Sequence, residues 1–261
     1  MDINKNPLKP YLKSLADKFR EKFGMTDFEE LNAQDFPDLI DEVYEYGRQA
    51  GGGSVDTDEI YKQAQKEVWR GITNNGTREH YANGFQYQDL AYLYPYFSMT
   101  PTNAGYMFAQ TKNGGQLDFV DRFGQFGTTL DFSRATSMAR TFYVSGATRL
   151  GVIDCTSATS LEYLVSSSSY LHTIEKMIVR AENTYNSAFN AANALVEIRF
   201  EGEIGNDIDF STCSNLSHES ILSIIGHLKQ GAGKTLTLGA TNLAKSDDYI
   251  NLIESKGWDY R

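Results

Sequence analysis

The sequence predicts an α+β protein in which a small helical N-terminal module precedes a leucine-rich-repeat-like β-solenoid. The main observation is a short phrase that begins with leucine and ends with isoleucine, at residues 150–153, 171–174 and 195–198. The phrases start 21 and 24 residues apart, within the roughly 20–29 residue period of leucine-rich repeats. In such arrays each repeat contributes one strand and stacks its apolar residues on the next repeat. Residues 116–261 are therefore expected to form the solenoid.

A second phrase, built around an aspartate, runs through the same region. Each copy has an apolar residue, an Asp, an inward-facing small or aromatic residue and a polar turn, at residues 130–138, 153–161 and 208–216. Asp side chains commonly hydrogen-bond backbone amides two residues ahead, which stabilises turns. Asp131, Asp154 and Asp209 are thus predicted to be turn residues rather than calcium ligands.

Residues 1–50 predict a helical head with two short amphipathic helices. Its apolar residues recur at helical spacing, and the set that could contact a partner is Leu8, Tyr11, Leu12, Leu15 and Phe19. Two interpretations stay open: an ordinary docked helix, and an attachment module that binds another subunit. Three glycines, Gly51, Gly52 and Gly53, follow and predict a flexible joint.

Residues 51–115 are expected to contain this Gly-rich joint, one helix and an aromatic segment that caps the solenoid. The aromatic segment includes Tyr92, Tyr94 and Tyr96. Aromatic side chains could stack on sugars or contact a partner, although packing over the apolar end of a repeat array is the interpretation we favour. These three tyrosines complete the set of candidate partner-contact residues.

The net charge of the chain limits the classes of partner that it can bind. Its 261 residues carry a formal net charge of −10, which repels nucleic-acid phosphates and anionic membranes. No run of eighteen apolar residues and no secretory signal is visible, so we expect synthesis in the cytoplasm of a host and no membrane insertion. The two cysteines, Cys155 and Cys213, are predicted to be buried thiols.

No motif in the sequence predicts catalysis, a cofactor or a metal site. The segment 231–235, Gly-Ala-Gly-Lys-Thr, is reminiscent of a phosphate-binding loop, but Leu228 stands where the first glycine belongs. Its context is also inverted, because a helix capped at Ser217 precedes it and a strand follows. The four histidines are scattered, without the short spacing of metal ligands. We therefore expect a non-enzymatic protein.

Several motifs carry a resemblance to a known family. They are Asn-Gly-Thr-Arg at 75–78, Asn-Ala-Gly-Tyr-Met-Phe at 103–108, Ile-Arg-Phe-Glu-Gly at 198–202 and Leu-Thr-Leu-Gly-Ala-Thr-Asn-Leu at 236–243. Over about residues 60–261 the chain resembles phage and prophage leucine-rich-repeat proteins of the bacterial surface-antigen type. The helical head lies outside the shared pattern.

The resemblance implies a structural component of a tailed-phage virion, placed in the tail, baseplate or fibre. Its partners would be other virion proteins, with a second copy of the chain and a host-surface glycan or protein as further candidates. Two alternatives remain: a carbohydrate-binding or carbohydrate-active surface protein, and a cytoplasmic inhibitor of a host protein.

Overall fold

The computed structural model describes Phe85, Gln86, Pro95 and residues 98–111 and 116–261, all within one compact unit, Glu79–Arg261. The described strands are β1 Leu117–Asp118, β2 Ala147–Asp154, β3 Thr173–Val179, β4 Glu197–Gly202, β5 Ile208–Asp209, β6 Thr235–Thr237 and β7 Asp259–Tyr260. The described helices are α1 Phe119–Gln125, α2 His218–Gly226, α3 Gly239–Leu243 and α4 Asp248–Ser255.

The expected α+β fold with a leucine-rich-repeat-like β-solenoid is wrong. The described chain has an α/β fold with two separate parallel sheets, ordered β1-β2-β3-β4 and β5-β6-β7. Helix α1 follows β1 directly, and helices α3 and α4 connect β6 to β7. Parallel strands need such crossover connections because the chain must return to the same end of the sheet.

The leucine-to-isoleucine phrases occupy the central sheet but in a different register from the one predicted. Leu150 lies opposite Ile174, and Ile174 lies opposite Ile198. The true offset is therefore 24 residues at both steps, and Leu171 precedes β3 instead of matching Leu150. Apolar side chains at paired positions stack on one face of the sheet, and Leu150, Ile174 and Ile198 are all buried there.

Helix α2 ends the first sheet, which is the physical reason why the strand array does not continue. Ser220 Oγ accepts a 3.0 Å hydrogen bond from Ile198 N, and Ser223 Oγ accepts a 2.9 Å bond from Phe200 N. Both amides lie on the outer edge of β4, where a further strand would otherwise pair. The next strand, β5, consequently begins a new sheet.

A ladder of turns forms a second hydrogen-bonded side of the molecule. Tyr106, Arg140 and Tyr163 each adopt a positive φ, and each donates its amide to the next turn, at Ala139, Glu162 and Asn186 respectively. The side chain of Arg140 lies over the Tyr163 ring, 4.6 Å from the ring centroid. The left-handed backbone is held because each amide has a partner in the neighbouring turn.

The predicted turn aspartates are confirmed. Asp131, Asp154 and Asp209 each accept a hydrogen bond through Oδ1 from the amide two residues ahead, at distances of 2.7–2.9 Å. The cap of α2 is also confirmed, since Ser217 accepts from the amide of Ser220. In the described part of the chain, no helix is both long enough and apolar enough to span a membrane.

Candidate functional site

The candidate functional site is a groove between helix α1 and one face of the first sheet, here called the sheet–helix groove. Its volume is about 540 Å³. Its apolar and charged lining residues come from α1, β2, β3 and the loop after α1: Phe119, Val120, Phe123, Leu130, Val152, Ile178, Asp131, Asp154 and Glu175. Concave apolar surfaces with a few polar groups are the usual sites for ligands and partners.

Helix α1 forms one wall because its local sequence fixes where it begins and which side is buried. Asp118 caps the helix by accepting a 3.0 Å hydrogen bond from Asp121 N, which satisfies one free amide of the first turn. Phe119 and Phe123, one helical turn apart, are both buried. Their packing holds the helix against β2.

A glycine in β2 permits the close approach of this helix. A Cβ atom at Gly151 would lie 3.4 Å from Val120 Cγ2. A longer side chain there would displace Val120 from the groove. The neighbouring Val152 is 47% exposed although it belongs to the central sheet. The groove therefore exposes apolar surface of this strand instead of burying it in the protein.

Three carboxylates line the groove, and all three are held in place. Asp131 Oδ1 accepts a 2.9 Å bond from Ser133 N. Asp154 Oδ1 accepts from the amide and the hydroxyl of Thr156, at 2.9 and 2.6 Å. Within the described residues, the Oδ2 atoms of both aspartates have no hydrogen-bond partner. The two aspartates thus present fixed negative charge toward the groove.

The third carboxylate, Glu175, forms an ion pair with Arg149. Arg149 also lies 3.5 Å from Asp118 Oδ2 and 3.8 Å from Asp121 Oδ1. Glu175 is the main cause of the raised pKa of the Arg149 guanidinium. Among the described residues no basic side chain lines the groove itself, so its described lining carries a net negative charge beside an apolar surface.

The two buried thiols, Cys155 and Cys213, do not line this groove. Burial raises the pKa of the Cys155 thiol well above its usual range and that of the Cys213 thiol to about 12. Both thiols are free and buried, as the sequence predicted. A protonated thiol is a poor nucleophile, so both act as apolar packing groups.

The sequence-predicted partner residues cannot be placed in this site. Leu8, Tyr11, Leu12, Leu15, Phe19, Tyr92, Tyr94 and Tyr96 all lie outside the described residues. The predicted helix, loop and strand around residues 231–235 are confirmed as α2, a connection and β6, the reverse of a phosphate-binding loop. Among the described residues, no three His, Cys, Asp or Glu side chains are grouped to hold a metal ion.

Sequence reasoning missed the groove and the helix that forms it. The signal for α1 was present, because Asp118 precedes an apolar pair at helical spacing. The repeat interpretation of residues 116–261 includes this segment, and for that reason it does not predict a separate helix there.

Comparisons with known proteins leave the resemblance to phage proteins as an expectation. The chain matches no protein-family model, and no curated protein or solved structure is detectably similar to it.

Proposed function

We propose that this chain is a non-enzymatic component of a tailed-phage virion that binds another virion protein through the sheet–helix groove. The observation that carries the binding role is the exposed apolar side chain of Val152 in the groove, beside fixed carboxylates. Such a surface on a rigid sheet suits recognition, because little ordering is needed when the partner binds. The resemblance of its sequence motifs to those of phage tail proteins is what supports the virion setting and the tail, baseplate or fibre as its place.

The chemistry of the groove selects the partner. Val152 and Ile178 offer apolar contact area, and Asp131 and Asp154 each offer a fixed carboxylate at the margin. The complementary occupant is a protein segment whose apolar side chains are flanked by lysine or arginine. Charge complementarity of this kind favours the correct orientation and speeds association.

The first experiment tests the virion setting. Particles would be purified from a lysate of host cells that express the chain and would be analysed by mass spectrometry. We expect the protein to copurify with known virion proteins through a density gradient. Its absence from purified particles would contradict the virion assignment.

The second experiment tests the groove. Val152→Lys introduces a positive charge into the apolar part of the groove, where it would lie against the partner's apolar side chains and repel its flanking lysine or arginine. It should reduce incorporation into particles by about tenfold, which corresponds to a loss of about 1.4 kcal/mol in binding free energy. Leu252→Lys is the matched control: Leu252 is 40% exposed on α4, outside the groove. Incorporation of both variants at the wild-type level would show that the groove does not bind the partner.

A further inference from the structure

A second concave surface, here called the polar groove, lies between the turn at residues 185–190 and strands β5 and β6. Its volume is about 510 Å³. The residues that line it are almost all polar: Asn186, Ser187, Asn190, Asp207, Asp209, Ser211, Thr212, Thr235, Thr237 and Arg261, with Tyr185 and Ile208. It shares no lining residue with the sheet–helix groove.

One wall of the polar groove is the end of the turn ladder. The carbonyls of Asn186 and Asn190 accept from the preceding turn, from Tyr163 N and Ser167 N at 3.0 and 2.7 Å. On the groove side, by contrast, Ser187 N has no hydrogen-bond partner among the described residues. The amide of Ala191 in the same turn does have a partner, since it donates to Thr212 Oγ1 at 2.8 Å. Ser187 N is therefore a backbone donor of this wall that no described residue uses.

The opposite wall holds two carboxylates in fixed positions. Asp207 Oδ1 accepts a 2.8 Å bond from Thr235 N, and Asp209 Oδ1 accepts a 2.7 Å bond from Ser211 N. In the described part of the chain, neither Oδ2 atom has a hydrogen-bond partner. Each aspartate is thus oriented by one oxygen and retains the other as a free acceptor, an arrangement that limits the entropy lost on binding.

Further donors and acceptors complete the lining. Thr235 and Thr237 lie on one face of β6, with the buried Leu236 between them. The guanidinium of Arg261 forms no ion pair with any described residue. Tyr185 also lines the groove, and its buried hydroxyl lacks a hydrogen-bond partner within the described part of the chain. The lining therefore contains both hydrogen-bond donors and acceptors.

We propose that the polar groove binds a neutral saccharide. Each sugar hydroxyl both donates and accepts hydrogen bonds, which matches a lining of carboxylate acceptors, amide and guanidinium donors, and Thr and Ser hydroxyls. A phosphate would lie beside the carboxylates of Asp207 and Asp209, and Arg261 is the only cation among the described lining residues. An anion is therefore disfavoured. This site is independent of the proposed virion partner.

The binding test uses the whole chain labelled with ¹⁵N. Trisaccharides of glucose, galactose, mannose, rhamnose and N-acetylglucosamine would each be titrated to millimolar concentration while amide chemical shifts are recorded. At least one should shift the amides of Ser187, Asn190 and Thr237 in a saturable manner. If no member of this panel shifts them, the proposal is overturned.

A conservative substitution separates binding from folding. Asp209→Asn keeps the Oδ1 acceptor for Ser211 N but removes the carboxylate charge, and it should weaken saccharide binding by on the order of tenfold. Asp154→Asn is the matched control, because Asp154 forms the same type of turn outside the polar groove. Equal saccharide affinity of both variants and the wild-type chain would contradict a role for the Asp209 carboxylate and for this site.

Two further probes distinguish other ligands. Calcium chloride and a short threonine- and valine-rich peptide would be titrated under the same conditions. If either shifts the amides of Ser187 and Thr237 while every saccharide leaves them unchanged, the groove binds a cation or an extended peptide and the saccharide proposal fails.

Discussion

Ser220 Oγ accepts a hydrogen bond of 3.0 Å from the amide of Ile198, and the same oxygen donates to the carbonyl of Val196 at 3.1 Å. A helical side chain thus satisfies the outer edge of β4 in place of another strand. Unpaired strand edges tend to pair with other chains. Helix α2 therefore both ends the first sheet and protects its edge from aggregation.

Removing this hydroxyl should destabilise the protein. Ser220→Ala leaves Ile198 N buried without an acceptor, which typically costs about 1–3 kcal/mol. Chemical denaturation followed by circular dichroism would measure the loss. Ser255→Ala is the control, since Ser255 is exposed and its hydroxyl bonds only within α4, to Leu252 O; we expect a change within about 0.5 kcal/mol. Equal stability of Ser220→Ala and the wild-type chain would be inconsistent with the edge contact.

Gly202, at the end of β4, should not tolerate a side chain. Its φ is +92°, and a Cβ atom there would clash with the carbonyl oxygen of Val179 on β3. We expect Gly202→Ala to lower the free energy of unfolding by about 2–4 kcal/mol, because strain and overlap add.

Gly226 provides the matched control for Gly202. No atom lies within 4 Å of a Cβ built at Gly226, at the end of α2. Gly226→Ala should leave stability unchanged or raise it by up to about 1 kcal/mol, since alanine favours helix over glycine. Thermal unfolding of the two variants in parallel would check the pair. A Gly202→Ala variant as stable as Gly226→Ala would show that the β3–β4 contact is looser than described.

The buried thiols should make stability fall at alkaline pH. The pKa of Cys213 rises from 9.0 to about 12 on burial, and the pKa of Cys155 rises in the same direction and for the same reason. The folded state therefore binds these protons more tightly than the unfolded chain. Their stabilising effect is complete below about pH 9 and is lost progressively as the pH rises toward 12.

Two measurements check this dependence. Urea midpoints should be lower at about pH 10.5 than at about pH 8, and the difference should shrink in Cys155→Ala because one titrating thiol is removed. At about pH 8 the native protein should react with iodoacetamide only as fast as it unfolds. Rapid alkylation of either cysteine in the folded protein would refute the assignment of both as buried, protonated thiols.

Local features were well determined by the sequence. The turn aspartates, the Ser217 cap and the burial of both cysteines follow from interactions within a few residues or from side-chain polarity. These predictions hold although the predicted fold was wrong, because an Asp carboxylate reaches the amide two residues ahead whichever sheet the strand joins.

The register of the phrases was less predictable, although the strands themselves were indicated. The phrase at residues 171–174 begins with an apolar residue and ends with another. From the sequence, Leu150 could therefore pair with either Leu171 or Ile174. The structure selects Ile174. Register depends on contacts between strands distant in sequence, and a shift of the pairing changes which side chains face the core.

The polarity pattern, the turns and the helix cap could be predicted from the sequence, since each depends on neighbouring residues. The division of the strands into two sheets, and the two grooves beside them, depend instead on contacts between distant parts of the chain. Ser220 reaches Ile198 across 22 residues of chain, and Asp207 reaches Thr235 across 28. Such contacts arise only when the whole chain is packed, because the free energy of closing each loop is offset by many contacts acting together.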